Sequence, residues 1–512
     1  MVTEKKEPLF ELVKSLSKSE KRQFKLYAGR LGGNTEAKFM LLFNFLDKST
    51  KYDEASILRD KIVKKEQLSN LKAHLYKQIL ISLRLTPQHQ NLRAQLREQM
   101  DFASILYHKG LYYQSLKILD KAKELAKQFD ENNLAYEIVE LEKVIESQFI
   151  TRSLITRADE LAVESKTLSV KNVIASKLSN LSLQLYSLLL KSGYVRNNED
   201  YERVVSYFNA RLPQYQWCDM GFREKLFLYK AYLWRGFLLQ DFVSCYRYSQ
   251  KWVDLFLIRE DMIGLNPVFF IKGYNYLLES LFYLRRHKKF KETLDTFEQY
   301  VHRRTAIIDD NTETLSHLYL YNNKINARFL AGQFKLGVAE IPEILQMLKT
   351  FQGKIDSHHV MLFYYKIACL YFGSGDNKNC IVYLQKIIQN KELSLREDLL
   401  CFSRVLNLVA HYEAGLDYNL EIQIRSTYRF LIQMNDLHEV QKEMIKFLRK
   451  LGDIFPSELK QAFQDLYNNL KQYETHPYES RAFLYLDVLS WLESKIENKT
   501  VEEIIRKKVA DR

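Results

Sequence analysis

The 512-residue chain is 46% hydrophobic and carries a net charge of +13, which provides for a large core and argues against wholesale disorder. It has only 16 glycines and 7 prolines, too few for the many turns of an all-β fold, so long helices joined by short loops are expected. No apolar run approaches the roughly 18 residues of a membrane span, the N-terminal MVTEKKEPLFELVKSLSKSEKRQF lacks the apolar core of a secretory signal, and five cysteines without a CxxC pair indicate neither a disulfide framework nor a zinc knuckle.

The basic charge is concentrated at the N-terminus: residues 1–100 hold 20 Lys/Arg against 11 Asp/Glu, and the rest of the chain 56 against 52. A separate helical module over residues 1–90 is therefore expected, with an acidic partner. In SLSKSEKRQFKLYAGRL, Ser17 or Ser19 can cap a helix on which Phe24, Tyr27 and Leu31 form an apolar stripe, with Lys18, Lys21, Arg22, Lys25 and Arg30 on other faces. GGN at 32–34 reads as a turn, KFMLLFNFLDK as an apolar helix and YDEASILRDKI as a shorter one. EQLSNLKAHLYKQILISLRL follows as a long helix with Leu68, Leu71, Leu75, Ile79 and Leu83 in register, and Pro87 lies just beyond it. A short helix, a tight connection and a longer basic helix make the outline of a helix-turn-helix, in which Lys64, Lys65, Lys72, His74, Lys77 and Arg84 would face phosphates. The competing reading is a capping module with a solvated basic face. The long helix lacks an Arg/Asn/Gln cluster at its start for reading bases.

From residue 91 the pattern changes. In FASILYHKGLYYQSLKILDKAKELA, Phe102, Ala103 and Leu106 share a helical face, Gly110 ends the helix, and Tyr112, Ser115, Leu119 and Ala122 line a second one. Small residues at 103, 115 and 122 allow close approach, and large ones at 106, 112 and 119 fill the gap. Taking Tyr112 as an anchor, equivalents stand at Ile155, Tyr201, Phe242, Phe290, Phe334, Asn377 and Tyr418, in steps of 41 to 48 residues. The match is close at 364–388 and weak around Tyr201. Glycines at 332, 375 and 415 precede the last three anchors. This alternation of small and large residues around a helix–turn–helix resembles the tetratricopeptide (TPR) pattern, lengthened from its usual period of about 34. The N-terminal segment followed by helical repeats is also similar to a bacterial family of TPR-like proteins, a resemblance that brings no activity with it. It implies an all-α chain: a right-handed α-solenoid of degenerate TPR-like hairpins over 91–435, with capping helices over 436–512. In those last residues a helix start is expected at Ser457–Glu458 after Pro456, a break at ETHPYES, and in VEEIIRKKVADR either a further helix or a frayed end.

Catalytic and cofactor signatures are missing from the sequence: no P-loop, GxGxxG, GxSxG or HExxH occurs. FGSGD at 372–376 falls in a repeat turn, and His358 and His359 are neighbours that point apart on a helix. Cys369, Cys380 and Cys401 sit at or beside small-residue positions, where buried inert thiols are expected. A second basic cluster, YLRRHKKFKE at 283–292 with Arg303 and Arg304, occupies a turn, as a solvated tip or an acidic-partner patch. The expected function is a cytoplasmic, non-enzymatic scaffold that binds a protein partner, a peptide or a helix, in the solenoid groove, without metal or cofactor. Tyr321, Asn322, Lys324 and Arg328 are the candidate groove residues. The alternative is a transcriptional or RNA-linked regulator whose N-terminal module contacts nucleic acid through Lys18, Lys21, Arg22, Lys25, Lys64, Lys65, Lys72, Lys77 and Arg84.

Overall fold

A computed structural model describes residues 7–30, 34–60, 64–86, 91–148, 156–303, 309–390, 397–416, 420–433, 439–450, 454–455, 457–476, 478–479, 483 and 487–510. Among these residues the chain is all-helical and contains no strand. Leu31, Gly32, Gly33, Pro87, Ile155, Arg304, Tyr418, Pro456 and Pro477 lie outside the described residues. The chain divides into two compact units, Met1–Ser165 and Lys166–Arg512.

The first unit holds α1 (Pro8–Ser15), α2 (Lys18–Ala28), α3 (Asn34–Lys48), α4 (Glu54–Arg59), α5 (Lys65–Arg84), α6 (Leu92–His108), α7 (Tyr112–Gln128), α8 (Asn132–Gln148) and the start of α9 (Arg157–Ser192). Ser17 takes the cap of α2: its hydroxyl accepts the Glu20 N–H, and the Glu20 carboxylate accepts the Ser17 N–H at 2.7 Å. Phe24, Phe39, Leu42, Phe43, Leu68, Leu75 and Ile79 are buried in one core shared by α1–α5, with Leu71 and Leu83 packed at its edge. In the next pair, Ala103 and Ser115 are fully buried and the Ser115 hydroxyl donates to the Ala103 carbonyl at 2.8 Å, so the small residues do set the close approach. Phe102 departs from its expected place and is 44% exposed. Lys123 is buried between α7 and α8, donating to Glu142 at 2.6 Å, and Arg157 reaches the same Glu142 oxygen at 3.3 Å.

The second unit continues with α10 (Asn198–Arg211), α11 (Phe222–Leu238), α12 (Phe242–Ile258), α13 (Asp261–Leu265), α14 (Pro267–Tyr283), α15 (His287–His302), α16 (Asp310–Leu330), α17 (Phe334–Thr350), α18 (Ser357–Ser374), α19 (Asn377–Ile388) and α20 (Glu397–Glu413). It closes with α21 (Leu420–Gln433), α22 (Glu439–Lys450), α23 (Leu459–Lys471), α24 (Val488–Glu497) and α25 (Val501–Ala510). Neighbours in sequence pack in space: α11 on α12, α12 on α14, α14 on α15 and α16, α16 on α17, α17 on α18, α18 on α19 and α19 on α20. Tyr112, Phe242, Phe334 and Asn377 each open a helix, whereas Tyr201 and Phe290 fall in the first turn or just beyond it.

One turn recurs across both units. After α6, α7, α11, α14, α16, α18 and α20 a residue with φ between 50° and 87° (Gly110, Asp130, Gln240, Arg285, Gly332, Gly375, Gly415) ends the helix. The N–H of the following residue then donates to the carbonyl five positions back at 2.8–3.0 Å. This is the Schellman arrangement, which satisfies end carbonyls that would otherwise be orphaned. Helix α9 has no such break. Its 36 residues contain neither glycine nor proline, so it runs on through a stretch that a regular helix–turn–helix step would interrupt, until Gly193 at φ 68°.

The C-terminal segment is helical and returns to the middle of the chain. The α25 side chain Glu502 accepts the Lys335 N–H at the start of α17 at 3.1 Å, and Arg506 donates to the Gly332 carbonyl at 3.1 Å. The start of α23 has Glu458 in the cap position, directly after Ser457.

Candidate functional site: a cavity in the second unit

Helices α11, α14, α16 and α18, together with the C-terminal half of α9, wall a cavity of about 1130 Å³. Each presents one stripe: Leu183, Tyr186 and Leu190 from α9; Phe227, Lys230, Trp234 and Phe237 from α11; Phe269, Lys272, Tyr276, Glu279 and Tyr283 from α14; Tyr319, Asn322, Asn326 and Phe329 from α16; and Leu362, Lys366 and Cys369 from α18. Spacings of three and four residues place each set on a single helical face. The opposite faces of α11, α14, α16 and α18 pack on α12, α15, α17 and α19. Helix α9 is the one helix among the described residues that is, by length and composition, long and apolar enough to cross a membrane, with a mean hydropathy of 1.2 over its most apolar stretch. It gives no clear span, and its exposed Leu183 and Tyr186 face the cavity.

The walls are aromatic. Tyr186 packs on Trp234 with ring centroids 4.7 Å apart, and Trp234 meets Tyr276 edge-on at 5.2 Å. Burial drives the Tyr276 hydroxyl well above the ordinary tyrosine range, so it stays protonated. A polar ladder crosses the floor. Asn323 donates to Asn275 at 3.0 Å, Asn326 donates to Asn323 at 3.2 Å, and the Lys366 amine donates to the side-chain oxygens of Asn322 and Asn326, both at 2.6 Å. Asn275, Asn323 and Asn326 are buried, so the ladder fixes α14, α16 and α18 to one another. Burial pulls the Lys366 amine down to about 8, against the opposing pull of the Glu279 carboxylate.

Of the four residues expected in a groove, the structure brings only Asn322 to the cavity. Tyr321, Lys324 and Arg328 occupy another face of α16 and serve helix packing: Tyr321 donates to Glu343 at 2.5 Å, Lys324 pairs with Glu298 at 2.7 Å, and Arg328 pairs with Glu340. Tyr319 and Asn326, three residues before and four after Asn322, are the positions that share its face.

The nine candidate basic contacts lie on α2, on α5 and, for Lys64, at the cap of α5. Lys21 pairs with Asp47 at 2.8 Å, Lys72 with Glu7 and Glu54 at 3.4 and 3.3 Å, and Arg84 with Asp101 at 3.2 Å. The Lys25 amine lies 5.8 Å from the centre of the Phe43 ring. Lys18, Arg22, Lys64, Lys65 and Lys77 are exposed. On a helix, positions 72 and 77 are about 140° apart, so α5 does not gather its lysines on one face. His74 is exposed and packs edge-on against the Phe39 ring at 5.5 Å. Of the second basic cluster, Arg285 and Arg286 sit exposed in the turn between α14 and α15, Lys288, Lys289 and Lys291 lie exposed at the start of α15, and Arg303 follows the far end of that helix.

Cys380 and Cys401 are fully buried. Cys369 lines the cavity, and burial pushes its thiol up to about 12, which leaves almost no thiolate at neutral pH. His358 and His359 also reach the cavity wall, and His359 Nδ1 lies 2.6 Å from the Asp356 carboxylate. Among the described residues no three His, Cys, Asp or Glu side chains converge as a metal site. No family model, curated protein or solved structure matches this chain.

Proposed function

We propose that the chain is a non-enzymatic interaction protein whose second unit is a solenoid of TPR-like helical pairs, and that an extended peptide or helix of a partner protein occupies the cavity. The observation that supports this reading is the wall itself. The first helices of successive pairs contribute one stripe each, aromatic on α11, α14 and α16, with amides and lysines among them, to a single space of about 1130 Å³. Large apolar walls with a few placed polar groups are the composition of a binding cleft.

Selection of displayed random peptides on the full chain tests this. Leu183 is 65% exposed at the cavity wall, so Leu183→Glu alters the cavity without opening the core. Enriched peptides are expected to lose at least about tenfold in affinity on that variant, the scale of one well-placed apolar contact replaced by a charge. Unchanged affinity would place their site elsewhere and defeat the proposal.

The regulator reading gains less support. Lys21, Lys72 and Arg84 already have carboxylate partners, and the remaining cations are dispersed.

A further inference from the structure

The charge on the cavity wall is unbalanced. Lys191, Arg196, Lys230, Lys272 and Lys366 line it against one carboxylate, Glu279. Lys366 is accounted for by two asparagine oxygens. Lys230 and Lys272 are different. They stand on the first helices of consecutive pairs, and among the described residues neither makes an ion pair or hydrogen bond. The Lys230 amine is 5.4 Å from the Phe227 ring centre on its own helix and 5.0 Å from the Phe269 ring centre on α14. Two like charges drawn into a low-dielectric cleft without a counter-ion cost stability in the empty protein, a cost that an anion removes.

We propose that Lys230 and Lys272 form an anionic subsite within the cavity, and that its occupant is an acidic segment of a partner protein in which a carboxylate side chain neighbours an aromatic or aliphatic one. The inference rests on the peptide reading above and names its chemistry. The carboxylate meets the two amines while the apolar neighbour packs against Phe227, Phe269 and the Trp234–Tyr276 wall. Burial and the charge of Lys272 lower the Lys230 amine to about 8, and burial lowers Lys272 in the same direction, in accord with cations that await a counter-ion.

The test is an array of short peptides with an aromatic residue beside glutamate, each paired with its glutamine twin. It is probed with the full wild-type chain and with the Lys230→Gln/Lys272→Gln variant. The wild type is expected to favour the glutamate members by at least about tenfold, the scale of a charge-assisted hydrogen bond, and the variant to bind both members alike. Equal binding of the twins by the wild type overturns the anionic subsite and leaves the peptide reading standing. If no peptide binds in either form, the peptide reading falls, and the subsite is then read with two dyes. Loss of anilinonaphthalene sulfonate by the variant, with uncharged N-phenylnaphthylamine retained, sustains the anionic site; retention of both overturns it. Thermal unfolding controls for misfolding, and the variant should unfold no earlier than the wild type because a like-charge pair has been removed.

Discussion

At the scale of single residues, Asn326 and Lys366 belong to one unit of chemistry. The Lys366 ammonium has Asn322 and Asn326 as acceptors, and Asn326 in turn donates to Asn323. Replacing Asn326 with leucine leaves a half-buried cation one acceptor short and the buried Asn323 oxygen without its donor, so a loss of about 2–4 kcal/mol is expected in denaturant unfolding. Adding Lys366→Met removes the stranded charge, so the double variant should be more stable than the sum of the single losses requires. Strict additivity would show that the ladder does not act as a network. Lys230 supplies a pH test. Its amine loses a proton near 8 in the folded chain and near 10.5 in the unfolded one. Between those values the unfolded chain binds more protons, so this group makes folding more favourable as pH rises through the window. Lys272 is the charged group that bears on this proton. Capture of an acidic ligand needs the protonated amines and should run the other way, weakening above about pH 8. Affinity measured by calorimetry at pH 7 and 9 checks this, and a flat profile would exclude the Lys230 ammonium from the contact.

At the scale of elements, what could be read from the sequence was local. Gly110, Gly332, Gly375 and Gly415 marked helix ends because a left-handed cap favours glycine, and all four adopt it. The same turn built on Asp130, Gln240 or Arg285 carries no such mark and is visible only in the backbone. The cavity face was lost to phase. Tyr321, Asn322, Lys324 and Arg328 are alike as polar or aromatic residues of a first helix, but only one helical face in three or four can point inward, and the acids on α15 and α17 that claim the other three residues lie 12 to 26 positions away. The return of α25 depends on partners more than 160 positions distant and has no local signature. Glu502 there is 6% exposed and accepts an N–H at the positive end of α17 while pairing with Arg506. Glu502→Ala should cost about 1–2 kcal/mol, the range for losing a helix cap, and should raise hydrogen exchange at Lys335 and along α25. Unchanged exchange at Lys335 would mean that the docking does not depend on this carboxylate.

At the scale of the whole molecule, the net charge of +13 invites a nucleic-acid reading that the pairing of the cations limits. Six of the nine candidate basic side chains on α2, α5 and its cap, namely Lys18, Arg22, Lys25, Lys64, Lys65 and Lys77, are exposed and make no ion pair among the described residues, whereas Lys21, Lys72 and Arg84 pair with carboxylates. Each phosphate neutralised on duplex DNA contributes about −0.9 to the slope of log affinity against log salt. Titration of the full chain with mixed-sequence duplex DNA should therefore show a slope no steeper than about −5 to −6, with binding confined to low salt, and Lys64→Gln/Lys65→Gln/Lys77→Gln should flatten it. Non-specific attraction of a basic surface produces that behaviour without any recognition. A steeper slope, retained at physiological salt, would require Lys21, Lys72 and Arg84 to exchange their carboxylates for phosphates. Such an exchange is a conformational response to nucleic acid rather than a surface effect. It would move the regulator reading ahead of the scaffold, with the cavity of the second unit then serving as the sensor rather than the docking site.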